Sequence, residues 1–324
     1  MGEPSIPRLD ATAIGEGQLR LDTAVGHPLR QASELSVTVA GAEGNVMGLL
    51  ARLGNRTGLV TCLPRSSLGG KVADEYHAAG INTDAVIWRA SGRVALYFVE
   101  KASPPVPSRV IFDRAGSCFA DLTAADIDWG YVADSRLVHL TGITACLNDS
   151  LSAIVLRAAR SGRAAGQLVS VDVNYRAQLA SPAQARERLT PLLEAADAIS
   201  CSRRDAKSVF GIDGEGSTVA QALSQRFGAS TVLVSDGARP AVAFASGRNL
   251  SAQPPATAVV DRVGAGDALV AGFLHGYLQD DPERGLQLGV AAAALALTRY
   301  GDQLHTSLEE LESLSSSLGT DIVR

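Results

Sequence analysis

"DRVGAGDALVAGF", residues 261–273, decides how the rest of the chain is read. Two glycines, Gly264 and Gly266, stand between two carboxylates, Asp261 and Asp267, and an apolar run follows at once. From Ala268 to Leu278 the residues are apolar on every side apart from His275, the pattern of a buried helix. Such a helix starts inside the protein, with first-turn N–H groups that need an acceptor. Glycine permits positive φ and removes the Cβ that would keep a ligand at a distance. The positive end of the helix dipole then favours an anion, typically a phosphate. An acid at that place repels a resting phosphate, but it makes sense if it handles a proton. Asp267 is therefore the candidate base, orienting an acceptor hydroxyl in phosphoryl transfer, a task for which a carboxylate of ordinary pKa suffices. Gly264, Ala265 and Gly266 form the candidate anion hole. The local pattern by itself leaves Asp267 open as a simple helix N-cap.

Other phosphate loops are absent. "LGGK" at 68–71 has Arg65 in place of the first glycine of a GxxxxGK[ST] loop and Val72 after Lys71. The dinucleotide pattern GxGxxG fails at Leu269, so a nicotinamide oxidoreductase lacks its fingerprint.

Upstream, the chain alternates. Strands are expected at 135–143, 167–176, 196–202 and 230–237, and helices at 148–162, 181–196, 203–211 and 217–228. Asn148, Asp149 or Ser150 caps the first helix and Gly162 follows its end; Ser181 and Pro182 open the second. Strand–helix alternation predicts βαβ units and a parallel sheet covered on both faces. The first half differs. Residues 93–116 read as two strands joined by a Pro-rich loop, and 16–25 and 33–44 also alternate, as on a small sheet with one wet face. That sheet suggests a lid, a dimer surface or an ordinary edge hairpin.

The chain has 324 residues, 46% hydrophobic and 19% charged, enough for one large core. Its net charge of −5 argues against nucleic acid or anionic membrane as partner. No basic-then-apolar leader opens the sequence, and the longest apolar run, Leu288–Leu297 broken by Gly289, is too short for a bilayer. Four scattered cysteines, Cys62, Cys118, Cys146 and Cys201, read as reduced thiols of a cytoplasmic protein.

Several motifs in order resemble the ribokinase-type (PfkB) sugar kinases. "DxxGAGD" running into "AxxAGFLxG" is similar to their signature; "AGAEGNVMGLLARLG" (40–54), "VHLTGI" (138–143), "SVDVNYRAQLASPAQAR" (170–186) and "RYGDQ" (299–303) agree as well. The resemblance runs from about residue 13 to about 315, and is greatest to 2-keto-3-deoxygluconate kinases. It implies a ribokinase-like three-layer α/β sandwich: one domain over 1–324, with a mostly parallel central sheet and a small projecting β-sheet lid from segments about 16–40 and 90–116, which often pairs in a homodimer. It implies ATP and Mg²⁺, and leaves a monovalent cation open. By resemblance, Gly41, Asn45, Tyr97, Arg114, Ile143, Asn174, Arg176 and Asp302 would bind the sugar. Ser202, Ser235, Gly237, Gly264, Gly266 and Val290 would meet the nucleotide, and Asp205 would act on magnesium through water. Arg114 and Arg176 suit a carboxylate-bearing substrate, since a guanidinium grips both oxygens.

The departures from the family pattern are Arg262 for Pro or Thr, Ser66 and Ser67 for an acidic segment, Phe112 for Tyr, Pro240 for a turn glycine, and Val290 for Asn. The expected function is ATP-dependent phosphorylation of a sugar or sugar acid, with 2-keto-3-deoxygluconate foremost. A kinase for fructose or a nucleoside, and a sugar or nucleotide sensor without turnover, are the alternatives.

Overall fold

The structure, a computed structural model, describes residues 8–103 and 105–316, so both ends of the expected 1–324 domain lie outside it. Ten strands form one large sheet. In spatial order they are β14 (Arg248–Ala252), β13 (Ala241–Ala245), β12 (Thr231–Ser235), β11 (Ala198–Ser202), β10 (Leu168–Asp172), β9 (Ser135–Thr141), β1 (Leu9–Ile14), β4 (Thr57–Pro64) and β5 (Ile81–Asn82), with β6 (Val86–Arg89) also pairing β4. Every pairing is parallel except the β12–β13–β14 edge. A second sheet has four strands, in the order β3 (Ser36–Ala40), β2 (Gln18–Asp22), β7 (Ala95–Glu100) and β8 (Arg109–Asp113).

Helices cover both faces of the large sheet, because its parallel strands are apolar on both. One core joins Val138, Leu140, Val169 and Val171 to α5 (Asp149–Ala164), α6 (Pro182–Leu193), α7 (Arg203–Phe210) and α8 (Gly216–Phe227). The other joins Ala11, Ala13, Leu59 and Leu137 to α1 (Ala42–Arg52), α2 (Ser67–Ala78), α9 (Ala265–Tyr277) and α10 (Pro282–Leu297). Short helices α3 (Trp129–Ala133) and α4 (Gly142–Leu147), and the terminal α11 (Leu308–Ser316), complete the set. This is the three-layer sandwich the alternation predicts.

Local chemistry sets most boundaries. Ser181 accepts from Gln184 N while Gln184 reaches back, a complete capping box, with Pro182 at the first helical position. Gly211 and Gly228 end α7 and α8 in the left-handed region. Asn148 caps α5 through Leu151 N. Four boundaries differ from the sequence reading. Gly162 lies inside α5, not beyond it, at a place where a Cβ would sit 2.7 Å from Gln167 Oε1. The strand expected over 135–143 stops at Thr141, whose hydroxyl caps α4, so Ile143 is helical. The strands expected through 176 and 44 end at Asp172 and Ala40. Among the described residues, no helix is long and apolar enough to cross a membrane. All four cysteines are free and buried.

Helices α9 and α10 touch along glycines. A Cβ on Gly272 would lie 2.6 Å from the Gly289 Cα, and one on Gly276 would strike the Gly285 backbone. Gly272→Ala is therefore expected to destabilise the fold by about 1–3 kcal/mol, since backbone cannot yield as a side chain can. Gly70→Ala in α2, where a Cβ meets nothing, should instead gain up to about 1 kcal/mol. Urea unfolding of the two variants against the parent reads both signs.

Candidate active site

The strand order reverses around β1, with β4 on one side and β9 on the other. Open parallel sheets bind ligands beyond the carboxyl ends of their strands at such a switch. A cavity of about 1420 Å³ opens there. Residues at or just past five strand ends face it: Glu16 after β1, Ile143 after β9, Asn174 after β10, Ser202 on β11 and Ser235 on β12. The four-stranded sheet closes one side through Tyr97, Phe112 and Arg114. The volume exceeds the roughly 300–1,000 Å³ of a single small-ligand site, leaving room for two ligands end to end.

Helix α9 begins in this cavity. Its N-cap is Gly264 at φ 83°, and no side chain caps its first turn. A Cβ on Gly264 would collide with the Asp302 carbonyl, so glycine is needed for both its φ and its clearance. Around Gly266 the space is open, which leaves its N–H approachable. Asp267 is the third residue of the helix and does not cap it, which removes the N-cap reading. Its Oδ2 instead accepts from Asn45 Nδ2 at 2.7 Å. Burial raises the Asp267 carboxyl to about 7, the Asn45 hydrogen bond works against that rise, and nearby Asp302 adds to it. Its pKa thus stands above the ordinary value that would suffice for the task. Asp172, at the end of β10, is pushed up to about 8 by burial and then by Asp267.

Asp261 does not face the cavity. Its Oδ1 accepts from Val263 N at 3.1 Å and its Oδ2 takes the Arg20 guanidinium. Arg20, on β2, has no exposed surface. It donates to both oxygens of Asp22 at 2.9 and 3.1 Å and to Asp302 Oδ1 at 2.7 Å. Tyr97 donates to the same Asp302 oxygen at 2.5 Å. Burial opposes the charge on Arg20, yet Asp302 and Asp22 outweigh it and hold the guanidinium protonated.

Of the residues singled out for the sugar, Gly41, Asn45, Tyr97, Arg114, Ile143, Asn174, Arg176 and Asp302 all line the cavity. Gly41 is fixed at φ 146° because a Cβ would meet the Glu16 carbonyl. Asn174 holds a left-handed φ of 36°, strain of the kind that persists where a ligand site demands it. The Arg114 fork is committed to Glu16, at 3.0 and 2.5 Å. Arg176 is exposed and bonds only to its neighbour's carbonyl, Tyr175 O, at 3.4 Å. Of the residues singled out for the nucleotide and metal, Ser202, Ser235 and Asp205 line the cavity, and the Ser202 hydroxyl also caps α7 through Asp205 N. Gly237 and Val290 do not line it: Val290 is core on α10, and Gly237 sits in a turn at φ 64°. Ala265 turns its side chain to the core. Ser66 caps α2 through Gly69 N, and neither it nor Ser67 reaches the cavity.

Sequence reasoning missed Arg20, Glu16, Glu43 and Asp172. Glu43 is fully buried beneath the cavity and accepts from the Thr141 and Thr144 hydroxyls at 2.6 Å each. Its signal was present, because it lies inside the 40–54 motif and Thr141 inside the 138–143 motif. Asp172 likewise lies in the 170–186 segment. Arg20 had no signal of its own.

A switch-point cavity roofed by a small sheet, with a buried helix opening on a glycine turn beside a carboxylate, belongs to a carbohydrate kinase of the α/β sandwich class. The chain belongs to the pfkB family of carbohydrate kinases, whose profile matches residues 11–309. It is similar to 2-dehydro-3-deoxygalactonokinase of Haloferax volcanii, 31% identical over 94% of this chain and 95% of that one. It is also similar to 2-dehydro-3-deoxygluconokinase of Thermoproteus tenax, 29% identical over 98% and 97%. Among solved structures, 2-dehydro-3-deoxygluconokinase of Thermotoga maritima superposes with a TM-score of 0.90 at 30% identity, covering 95% of this chain and 98% of that one. A fructokinase of Xylella fastidiosa with bound ATP superposes at 0.80 and 25% identity over 94% and 98%. The enzyme is a sugar kinase, transferring a phosphoryl group to a hydroxyl of a carbohydrate.

The Asn45–Asp267 bond yields a pH prediction. With Asp267 as acceptor of the hydroxyl proton, the group that works is the deprotonated one, and activity should rise with pH through about 7. Asn45→Ala deletes a donor that favours the carboxylate, so the acidic limb of the kcat profile should move to higher pH. Profiles of the two proteins from pH 5.5 to 9 read the shift; superimposable limbs would exclude Asn45 as a partner of the ionised base.

Proposed function

We propose that the protein is an ATP-dependent sugar-acid kinase with Asp267 as its base, acting on 2-keto-3-deoxygluconate or its C4 epimer. The observation that carries this is a buried carboxyl of raised pKa beside the uncapped N-terminus of α9, both facing one cavity. The acceptor hydroxyl points at Asp267 Oδ1, since Asn45 holds the other oxygen. The first-turn N–H groups receive charge gathering on the transferred phosphoryl. Arg176, whose guanidinium makes no ion pair among the described residues, binds the substrate carboxylate, while Arg114, answered by Glu16, positions rather than grips. The names of the relatives point to the same substrate class.

The other ends follow from chemistry. Asp172 and Asp205 are hard oxygen donors on the nucleotide side, and no third such donor joins them in a closed cluster among the described residues. That set suits magnesium, which keeps waters and shares phosphate oxygens, and the ion would neutralise charge on the phosphates. The small sheet serves as lid, within one domain. Its exposed Val37 and Ile111, which lie on one row across the sheet, are apolar enough to pair with a second copy. Four free buried thiols fit a reducing, cytoplasmic setting.

The test is coupled ADP release across 2-keto-3-deoxygluconate, 2-keto-3-deoxygalactonate, fructose and ribose. Turnover is expected with the acids, and Asp267→Asn should lower kcat by about 10²- to 10⁴-fold. Arg176→Ala should raise KM for an acid by about tenfold or more and leave a neutral sugar alone. Equal losses on acid and neutral substrates would remove the acid assignment. Light scattering should give twice the chain mass, reduced to one copy in Val37→Glu/Ile111→Glu.

A further inference from the structure

We infer that Arg20 is a positioning residue of the transfer step: from the small sheet, its buried guanidinium sets the phosphate-binding turn and the sugar-facing Asp302 together. This rests on the kinase reading above. Neither Arg20 nor its partner Asp261 lines the cavity, so neither touches a ligand. Both act through neighbours that do.

Two routes lead from Arg20 to the reacting atoms. In the first, Asp261 carries the guanidinium on Oδ2 and the Val263 N–H on Oδ1, which fixes the backbone immediately before Gly264. The Gly301 N–H leans on the same Oδ2 at 3.5 Å, joining the loop that carries Asp302 to this turn. In the second, Asp302 receives Arg20 and Tyr97 on one oxygen, and its main chain packs against Gly264 so closely that a Cβ could not fit. Arg20 and Tyr97 are register partners on the paired strands β2 and β7, so one rung of the small sheet supplies both donors. The anion hole is thus braced from two sides by a charge whose own position is set by the sheet above the sugar.

The geometry needs a planar fork. Nε takes Asp22, one terminal nitrogen takes Asp302 and the other takes Asp261. A lysine keeps the charge but has a single nitrogen, which cannot hold three separated carboxylates in one plane. Arg20→Lys should therefore fold with weakened bracing. Misplacing catalytic groups by about 1 Å costs on the order of 10²-fold, so kcat should fall about 10- to 100-fold, while KM for ATP holds within about threefold. A transition-state readout separates this from simple destabilisation. Affinity for ADP with aluminium fluoride, which mimics the transferring phosphoryl, should fall in step with kcat, and affinity for ADP alone should not.

Asp261→Asn is the second variant, in case Arg20→Lys does not fold. Its amide oxygen can still accept from Val263 N, and only the charge facing Arg20 is lost. It should show the same split between kcat and KM in smaller measure. If the parent enzyme turns over but the folded variants keep kcat and aluminium fluoride affinity within about twofold of it, the inference is overturned. If the parent itself releases no ADP with any acid or sugar, it is the kinase reading that fails.

Discussion

A guanidinium shut away from water is the constraint on which the cavity depends. Stripping one such ion of its hydration costs several kcal/mol, and only well-aligned partners offset it. Arg20 finds them in three separate segments: Asp22 on its own strand, Asp261 before α9, and Asp302 before α11. Leaving any of them unmet is costly, so the small sheet, the glycine turn and the 299–304 loop must arrive together. The register of β2 is fixed by the same demand. A slip of one residue would turn Arg20 to the opposite face and present Leu19 or Leu21 to the carboxylates. Three acids around one arginine leave a surplus of negative charge, which Lys101, 3.9 Å from Asp22, only partly answers.

That network also shows where sequence reading stops. Alternation along "EGQLRLDTAV" marks Gln18, Arg20 and Asp22 as one face of a strand, and polar faces ordinarily look to water. Here all three are buried. The reason lies 241 and 282 positions away along the chain, at Asp261 and Asp302, and no local pattern carries it. By contrast, the sandwich was legible because its evidence is local: apolar strands, the Ser181–Pro182 helix start, and the glycines that stop α7 and α8. The glycine turn was legible for the same reason, since positive φ and an all-apolar helix are written within thirteen residues.

The places where tertiary packing adds to the sequence reading follow a rule as well. Gly162 looked like a stop because glycine often follows a helix, yet its role is clearance for Gln167. Gly237 and Val290 were placed by motif position; neither lines the cavity, and Val290 is buried in the core that holds α9 and α10. Arg114 looked free for a substrate carboxylate because its partner, Glu16, lies 98 residues earlier. In each case the residue type was read correctly and its neighbour was supplied by tertiary packing.

Burial of the acid has two consequences that pull against each other. A carboxyl near 7 accepts a proton more readily at neutral pH than one near 3.8, which favours Asp267 as a base. The same elevation means that the folded state resists ionising Asp267 and Asp172, whereas the unfolded chain ionises them near 3.8. Their favourable balance is therefore full below that value and is lost as pH rises through about 7 and 8. The folded protein is thus under greatest electrostatic strain at the pH where the proposed base is ready. Positive charge brought in with the ligands relieves it, because a neighbouring cation favours the ionised forms. Asn45 already acts in that sense through its hydrogen bond, and the positive charge of Arg176 also lowers Asp267. Binding and readiness for catalysis are in this way tied to the same buried carboxylates.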